Sequence, residues 1–544
     1  MKTNVLYYGD NLPILRHRDY FPDASVDLIY LDPPFNSKAD YNILFKEVSG
    51  ESSQAQIRAF SDFWHWDQAA AETYHHLLTQ GPPHVSRMME ALCDFIGHND
   101  MTAYLVTMAA RLIELHRVLK PTGSIYLHCD PTASHYLKVV MDTIFGERNF
   151  RNEITWKRFN FHADARRFGR LSDRLLFYTK SDSYTWNRLR VAFKESYIES
   201  HFKYVDEYGR RYRLDNLNPP GGRGPVYEFH GKTRPWRYTK EKMLELEAAG
   251  KIYVAPGGIP QVKRYLDELP GEALHEMWVD VPPINPRARE RLGYETQKPL
   301  ALLERIIQAS SNPGDIVLDP FCGCGTAIVA AQKLGRRWIG IDVTHLAINI
   351  MKNRLKGSFG LEAGKDYEVI GEPADLESAR ALAAQGPGDE GRYQFQWWAL
   401  SLIGAMPVGD DKKKGADKGM DGVITFMDAA GGKTARAIVQ VKSGHVSSAQ
   451  LRDLKGVMER EKTALGIFIT LEPASAPMRT EAAAAGFHHS ELWQRDFPRV
   501  QILTIEELLT GKRPEIPGPM SPYAQAQRIG RKEGKQLGLE GGKE

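Results

Sequence analysis

The sequence predicts a doubly wound α/β domain, interrupted by an inserted module and followed by a second, smaller α/β domain. Three observations carry this. Short apolar runs end abruptly in acidic or glycine-rich turns, as parallel strands do where their C-terminal ends border a ligand site. Helical patterns separate those runs. The rhythm breaks twice, over residues 204–286 and 371–392, where Gly, Pro and charge replace it.

In order, Asn4–Tyr8 runs into Gly9-Asp10, and Val26–Leu31 into Asp32-Pro33-Pro34-Phe35. Ser124–His128 leads to Cys129-Asp130, Ile316–Leu318 to Asp319-Pro320-Phe321, and Trp338–Ile341 to Asp342. Between them lie helical patterns over Thr102–Leu119, Ala133–Phe145, Leu300–Ala309, Thr326–Leu334 and His345–Leu355. The segment 372–391 has the polarity and small residues of a linker, and the tail from residue 511 has the composition of a disordered end.

The 544 residues carry 71 Lys+Arg against 68 Asp+Glu, a net charge of +3, which excludes a polycation. Four cysteines are too few for a disulfide framework, and no apolar run approaches a membrane span. The opening MKTNVLYYGD lacks a signal-peptide core, so the expected compartment is the cytoplasm, without a membrane partner. Over Arg151–Lys240, 20 Lys+Arg face 10 Asp+Glu, interleaved with aromatics including Trp156, Phe159, Phe177, Tyr178, Trp186, Phe202, Tyr204 and Trp236. That composition suits a surface that neutralises phosphates and stacks on bases; the alternative is a solvated face over an ordinary core.

IVLDPFCGCGTAIVAAQKLGRRWIGIDV reads as strand, glycine-rich turn, helix and second strand. Gly323 and Gly325 let the backbone turn tightly and a ligand approach the helix N-terminus, before Thr326. Asp342 ends the next strand, where a carboxylate accepts from ribose hydroxyls. A dinucleotide fold shares this outline, but Asp319 would repel a pyrophosphate. It suits a ligand bearing an amine and a sulfonium, which points to S-adenosylmethionine. Cys322 and Cys324 have no second Cys or His pair nearby and read as small residues lining a turn.

In Asp32-Pro33-Pro34-Phe35, the Asp32 carboxylate and the Pro33 carbonyl can each accept one N–H of an exocyclic base amine. Two prolines hold the turn rigid, and Phe35 offers a stacking face for an extruded base. Those two bonds draw the nitrogen lone pair out of conjugation and aim it at a methyl donor.

These motifs, with GDNLPILR, LHCDPTASHYLKVVMDTIFG, NFRNEITWKR and GYETQKP, resemble the amino-methylating DNA methyltransferases. The order is that of the permuted class in which D-P-P-F precedes the cofactor motif, and the nearest branch is that of type III modification subunits. The resemblance covers residues 1–371 and implies a Rossmann-like methyltransferase fold. Within it, 1–196 forms the catalytic half, 197–289 the target-recognition insertion and 290–371 the cofactor half. It implies that Asp10 lies near the cofactor's adenine, that Thr296, Gln297 and Lys298 precede the helix over its methionine part, and that Phe321 and Asp342 contact adenosine. It implies double-stranded DNA as substrate, in restriction–modification or phage defence, and a homodimer or a restriction subunit as protein partner. Asp at the first motif position favours adenine N6, with cytosine N4 the alternative. A nuclease or DNA-binding subunit using this part for recognition alone is a further alternative.

Residues 392–510 form a separate block. Asp421 starts one strand, and Gln440 and Lys442 share a face of the next. A carboxylate beside a second oxygen ligand and a lysine is the layout of a Mg²⁺ phosphodiesterase. The block resembles the Mrr-like nucleases with the PD-(D/E)xK core. Gln440, however, stands where Glu or Asp is usual, and Gln394 and Gln396 lie where such folds place an acid. Either a Mg²⁺ nuclease or a nuclease fold kept for DNA binding or assembly fits.

Overall fold

The computed structural model describes residues 1–34, 40–46, 52–61, 65–159, 166, 168–285, 288, 290–292, 294, 296–384, 390–408, 419–429 and 433–518. The chain divides into two compact units: residues 188–275, and residues 1–187 with 276–544.

The larger unit is built on a nine-stranded sheet. Its strands are β1 (Val5–Tyr8), β2 (Val26–Leu31), β3 (Leu119–Cys129), β4 (Phe150–Lys157), β5 (Ser172–Thr179), β6 (Met277–Trp278), β7 (Ile316–Asp319), β8 (Arg337–Asp342) and β9 (Glu368–Ile370). Their spatial order is β6-β4-β5-β3-β2-β7-β8-β1-β9. All neighbours are parallel except around β5, which runs against both β3 and β4. The central strands are nearly continuous apolar runs because helices cover both faces. Asp100–Val118 and Ser134–Phe145 pack one face around Leu112, Leu115, Leu137 and Met141. Leu300–Ser310, Thr326–Lys333 and His345–Phe359 pack the other around Leu303, Ile306, Ile328 and Ile348. The predicted strands and helices all form, to within a few residues at their ends.

Three parts of the sequence reading need correction. Trp156, Phe177, Tyr178, Phe202 and Trp236, read as part of a base-stacking surface, are buried in cores. Of that set, Phe159, Trp186 and Tyr204 remain exposed. Segment 372–391 does not begin as a linker: Leu376–Ala384 is helical, and Ala379 and Leu382 enter the core of the C-terminal layer. The start of the tail is not a disordered end: Ile516 packs on that core and Glu515 N donates to Gln501. A hairpin of Asp40–Lys46 with Ser52–Ser61 and two helices, Gln68–Gln80 and Pro83–Ile96, lie between the D-P-P-F turn and Asp100, where no element was anticipated.

Residues 188–275 form their own unit, which begins earlier and ends earlier than both the break at residues 204–286 and the insertion expected at 197–289. A four-stranded antiparallel sheet and the hairpin Val226–Phe229/Lys232–Pro235 enclose Leu217, Phe229, Trp236, Met243 and Val262.

The C-terminal layer is a five-stranded sheet in linear order: β10 (Met406–Pro407), β11 (Gly422–Ala429), β12 (Lys433–Lys442), β13 (Leu465–Thr470) and β14 (Val500–Thr504). The first three pair antiparallel and the last three parallel. Helices Glu390–Leu402 and Ser448–Arg460 flank it, their apolar residues joining separate cores that include Trp398 and Leu454.

Candidate functional site

Four parallel strands, β2-β7-β8-β1, lie side by side at the centre of the large sheet. Register pairs Leu318 with both Ile29 and Ile339, and Tyr8 with Asp342. Their C-terminal ends therefore emerge at one edge, carrying Asp32, Asp319, Asp342 and Asp10. All four carboxylates line one cavity of about 330 Å³. This is the crevice outside the strand ends that open α/β sheets use for ligands. Two predicted halves, 287 residues apart between Asp32 and Asp319 in the chain, meet here because their strands are neighbours.

The glycine-rich turn is held from two sides. Asp342 accepts from Gly323 N at 2.8 Å through one oxygen, and from Thr344 N and Oγ1, each at 2.9 Å, through the other. Arg354, buried on the following helix, donates to the Cys324 carbonyl at 2.9 Å and to Thr326 Oγ1 at 3.1 Å. Gly325 adopts φ +75°, and a Cβ there would come within 2.5 Å of Met351 Cγ. Its role is thus to close the turn against the helix behind it, and it does not line the cavity. Pro320, Phe321, Gly323 and Thr326 do, together with Cys322 and Cys324. Both thiols are free and buried, and burial pushes both upward in pKa.

Asp10 N-caps the short helix Asn11–Arg16, accepting from Leu12 N at 3.0 Å. Asn11 donates to the Pro320 carbonyl at 2.7 Å, tying the first strand's turn to the Asp319 turn. Arg111 braces both, donating to Asn11 Oδ1 and, at 2.7 Å, to Asp10 Oδ1. The sequence reading missed Arg111, because nothing local distinguishes it from any other helical arginine.

At the other end, Lys298 forms an ion pair with Asp32 Oδ2 and donates to the Thr296 carbonyl at 3.3 Å. Asp32 Oδ1 is buried and has no hydrogen-bond partner. A buried acceptor left without a donor costs about 1–3 kcal/mol, so this atom is open to a donor from whatever occupies the cavity. Thr296, Lys298 and Pro34 line the cavity, whereas Pro33 is buried and outside the lining. Phe35 lies outside the described residues. Gln297, read as a cofactor contact, turns away: it accepts from Leu292 N at 2.8 Å and donates to the Glu290 carbonyl at 2.6 Å. It shapes the loop that carries its two neighbours.

Behind Asp32, Tyr30 pairs with His128 Nδ1 at 2.9 Å, and His128 Nε2 with Asp173 at 3.1 Å. Burial, reinforced by the nearby Asp32 and Asp319, pushes the Tyr30 hydroxyl well above its usual range. Burial likewise pushes the Asp319 carboxyl well above the carboxylate range. The Phe321 N–H and Lys298 oppose this, while Asp32 and Asp342 add to it.

In the C-terminal layer, the Asp421 carboxylate accepts from Val441 N at 2.6 Å, and the Gln440 amide donates to the Gly419 carbonyl. Gln440 is buried and Lys442 half-buried. Among the described residues no group of three His, Cys, Asp or Glu side chains is placed to hold a metal. Of the residues expected to form a Mg²⁺ centre, Asp421 is thus bonded to the backbone of the neighbouring strand and Gln440 to the backbone of the loop that precedes Asp421.

Residues 26–353 match the family model described as DNA methylase, which spans both the Asp32 and the Asp319 turns. The chain belongs to the N6/N4 DNA methylase family. Residues 398–510 match a second model, described as NACHT-associated inactive restriction endonuclease 1. The type II methyltransferase M.EcaI of Enterobacter cloacae is 33% identical over 259 residues, covering 46% of this chain and 57% of that protein. The type III enzyme StyLTI Mod subunit of Salmonella typhimurium is 28% identical over 349 residues, covering 61% of this chain and 50% of that protein. The DNA adenine methyltransferase YhdJ of Escherichia coli is 26% identical over 359 residues, covering 65% of this chain and 83% of that protein. The chain thus spans little more than half the length of the first two relatives.

The methylase core and the restriction-endonuclease-like layer are packed together at the back of the glycine-rich turn. Trp397 and Met406 lie against a cluster of Tyr294, Cys324, Leu346 and Ile350. Tyr294 and Cys324 also line the cavity. Tyr8 stacks on His345 with ring centroids 3.6 Å apart, and His345 N donates to Gln394. Burial lowers the His345 pKa, against the opposing pull of Glu372.

Proposed function

We propose that this methylase transfers a methyl group from S-adenosylmethionine to adenine N6 in double-stranded DNA, within a restriction–modification or phage-defence system. The observation that carries the reading is the buried, partnerless Asp32 Oδ1 at the same edge as Asp319, Asp342 and Asp10. The donor set fits the cofactor. Asp342, already accepting from Gly323 and twice from Thr344, keeps about one acceptor site for a ribose hydroxyl, Asp10 lies at the adenine end of the cavity, and Asp319 supplies negative charge for the ammonium and sulfonium. When bound, S-adenosylmethionine supplies an electrophilic methyl group on a sulfonium. Asp32 accepts one N–H of the target amine and holds the nitrogen lone pair toward that methyl. Asp at the head of the D-P-P-F motif supports adenine, as does the likeness to the DNA adenine methyltransferase YhdJ. Cytosine N4 presents the same amine chemistry and is the second reading. Methylation-sensitive sequencing of DNA from a host expressing the chain tests this: methyladenine at a defined site is expected, methylcytosine selects the second reading, and no new methylation overturns both.

The raised Asp319 carboxyl gives a pH signature. Where its folded pKa lies above the unfolded value, the folded chain holds the extra proton. That contribution to stability is complete below the ordinary carboxylate range and is lost as pH rises through the raised value. A cation bound beside Asp319 favours the ionised form, so S-adenosylmethionine binding should release a proton in that window and weaken on acidification. S-adenosylhomocysteine, which lacks the sulfonium charge, should release less, and Asp319→Asn should abolish the difference. Calorimetric titrations in buffers of different ionisation enthalpy measure it. Equal heats in all buffers would remove Asp319 from the cation's side.

For the C-terminal layer we infer a restriction-endonuclease fold used for assembly with the methylase and not for cleavage. The backbone engagement of Asp421 and the buried, neutral Gln440 support this, as does the description of the matching family. Plasmid incubated with the protein across a Mg²⁺ and Mn²⁺ series should stay uncut. Nicking lost in Asp421→Ala and Lys442→Ala would instead establish the Mg²⁺ nuclease. The partners that follow are DNA and, by analogy with the Mod-subunit relative, a restriction subunit.

A further inference from the structure

Lys298 pairs with Asp32 Oδ2 in a cavity where Asp32 Oδ1 still lacks a donor. We propose that the pair reads the Watson–Crick edge of the extruded base, Asp32 accepting from the exocyclic amine and Lys298 donating to the neighbouring ring nitrogen. The inference rests on the methyltransferase reading above and assigns Lys298 to the base instead of the cofactor.

The chemistry of the four bases gives the reason. Adenine presents an amine donor at N6 beside an acceptor at N1, and cytosine an amine donor at N4 beside an acceptor at N3. Guanine and thymine present the reverse, a carbonyl acceptor beside an N–H donor. A carboxylate and an ammonium held side by side match the first pair. Against the second pair they set carboxylate against carbonyl and ammonium against N–H, leaving buried charges unmatched. One oxygen of Asp32 holds Lys298, and the other awaits the amine. The Thr296 carbonyl steadies the ammonium from behind, and Gln297 fixes the loop on which both sit. Lys298 is itself buried, so its interactions act with little competition from water.

The same contact determines which nitrogen is methylated. The ring N1 lone pair of adenine lies in the ring plane outside the π system, whereas the N6 pair is delocalised. N1 is therefore the better intrinsic nucleophile. A Lys298 N–H bonded to N1 occupies that lone pair and leaves N6 to react. The N6–carbon bond then forms as the carbon–sulfur bond breaks, sulfur keeps the electron pair, and one N6 proton leaves to solvent.

The test crosses an enzyme change with an atomic change in the substrate. The duplexes carry, at the methylated position, adenine or 1-deazaadenine, or cytosine or 3-deazacytosine if cytosine is the base. The wild type should lose about tenfold or more in kcat/KM on the deaza duplex, the size of one hydrogen bond to a charged donor. Lys298→Met should treat the two duplexes within about threefold, and its products on adenine should include 1-methyladenine, resolved by mass spectrometry of nucleosides. If Lys298→Met makes no product, the comparison moves to duplex binding in the presence of S-adenosylhomocysteine, where the wild type must prefer the natural base and the variant must not. A wild type indifferent to the deaza change, or a variant retaining the wild-type preference, overturns the assignment. A wild type that methylates neither duplex refutes the methyltransferase reading instead, so the two failures are distinguishable.

Discussion

Replacing Asp32 by Ala is expected to abolish methyl transfer while leaving S-adenosylmethionine bound at close to wild-type affinity. The carboxylate acts on the amine as its lone pair rehybridises, and an interaction made only on that path lowers the barrier without tightening cofactor binding. Preorganised polar groups of this kind typically contribute roughly 10²–10³-fold, or about 3–4 kcal/mol. Loss of Asp32 has a second consequence, because it leaves the buried Lys298 without its carboxylate. Breaking one side of such a pair can cost about 3–5 kcal/mol of stability. Asp32 and Lys298 side chains keep 15% and 7% exposure, so the lower end applies. Asp32→Asn separates the two effects. It preserves shape and an oxygen acceptor, so folding should be retained while transfer stays at least about 100-fold down. Single-turnover methylation measures the first quantity, and thermal unfolding with calorimetry the second. An Asp32→Asn enzyme working at near wild-type rate would show that the carboxylate's charge is not needed at the amine.

How far the sequence exposes this site depends on whether the information is local. The turns after β2, β7 and β8 were legible because each motif completes its own piece of geometry: a strand end, a tight turn, a helix start. That these turns meet follows from strand order, which the alternation of strands and helices constrains only loosely. Arg111 and the pairing of Lys298 with Asp32 belong to contacts 101 and 266 residues apart in sequence, and no local pattern announces them. The buried aromatics were misread for a different reason. Ile154 and Trp156 sit two apart on β4, and both are buried. That period of two was readable as a core face, but the surrounding positive charge drew attention to composition instead. In segment 372–391, Ala379 and Leu382 stand three apart in a small-residue run whose helical periodicity was masked by flanking Gly and Pro.

Ending the chain at Gly371 should damage the methylase itself, because the C-terminal layer forms the outer support of the cofactor cavity. A linker joining independent halves would predict no effect. The junction argues otherwise: Trp397 and Met406 cover Leu346 and Ile350, and the same cluster includes Tyr294 and Cys324, which line the cavity. Beside it, Glu372 holds Lys352, and its other oxygen approaches His345 at 3.7 Å. Truncation would return the apolar side chains of Leu346 and Ile350 to water, at about 1.5–3 kcal/mol for each one fully exposed. It would also free Tyr294, whose ring lies beside Gly323, to move off that turn. Several kcal/mol lost from a domain of this size corresponds to a fall of roughly 10 °C in the unfolding midpoint, and S-adenosylmethionine affinity should drop by about tenfold or more, the equivalent of 1.4 kcal/mol. Because instability of the shortened chain would mask an effect on binding, Trp397→Ala in the full-length protein provides the companion measurement. It should weaken cofactor binding severalfold, while Asp421→Ala, in the same layer but outside that apolar cluster, should leave it unchanged. If truncated and full-length chains melt together and bind the cofactor equally, the layer is only an appendage and the junction has no part in the site.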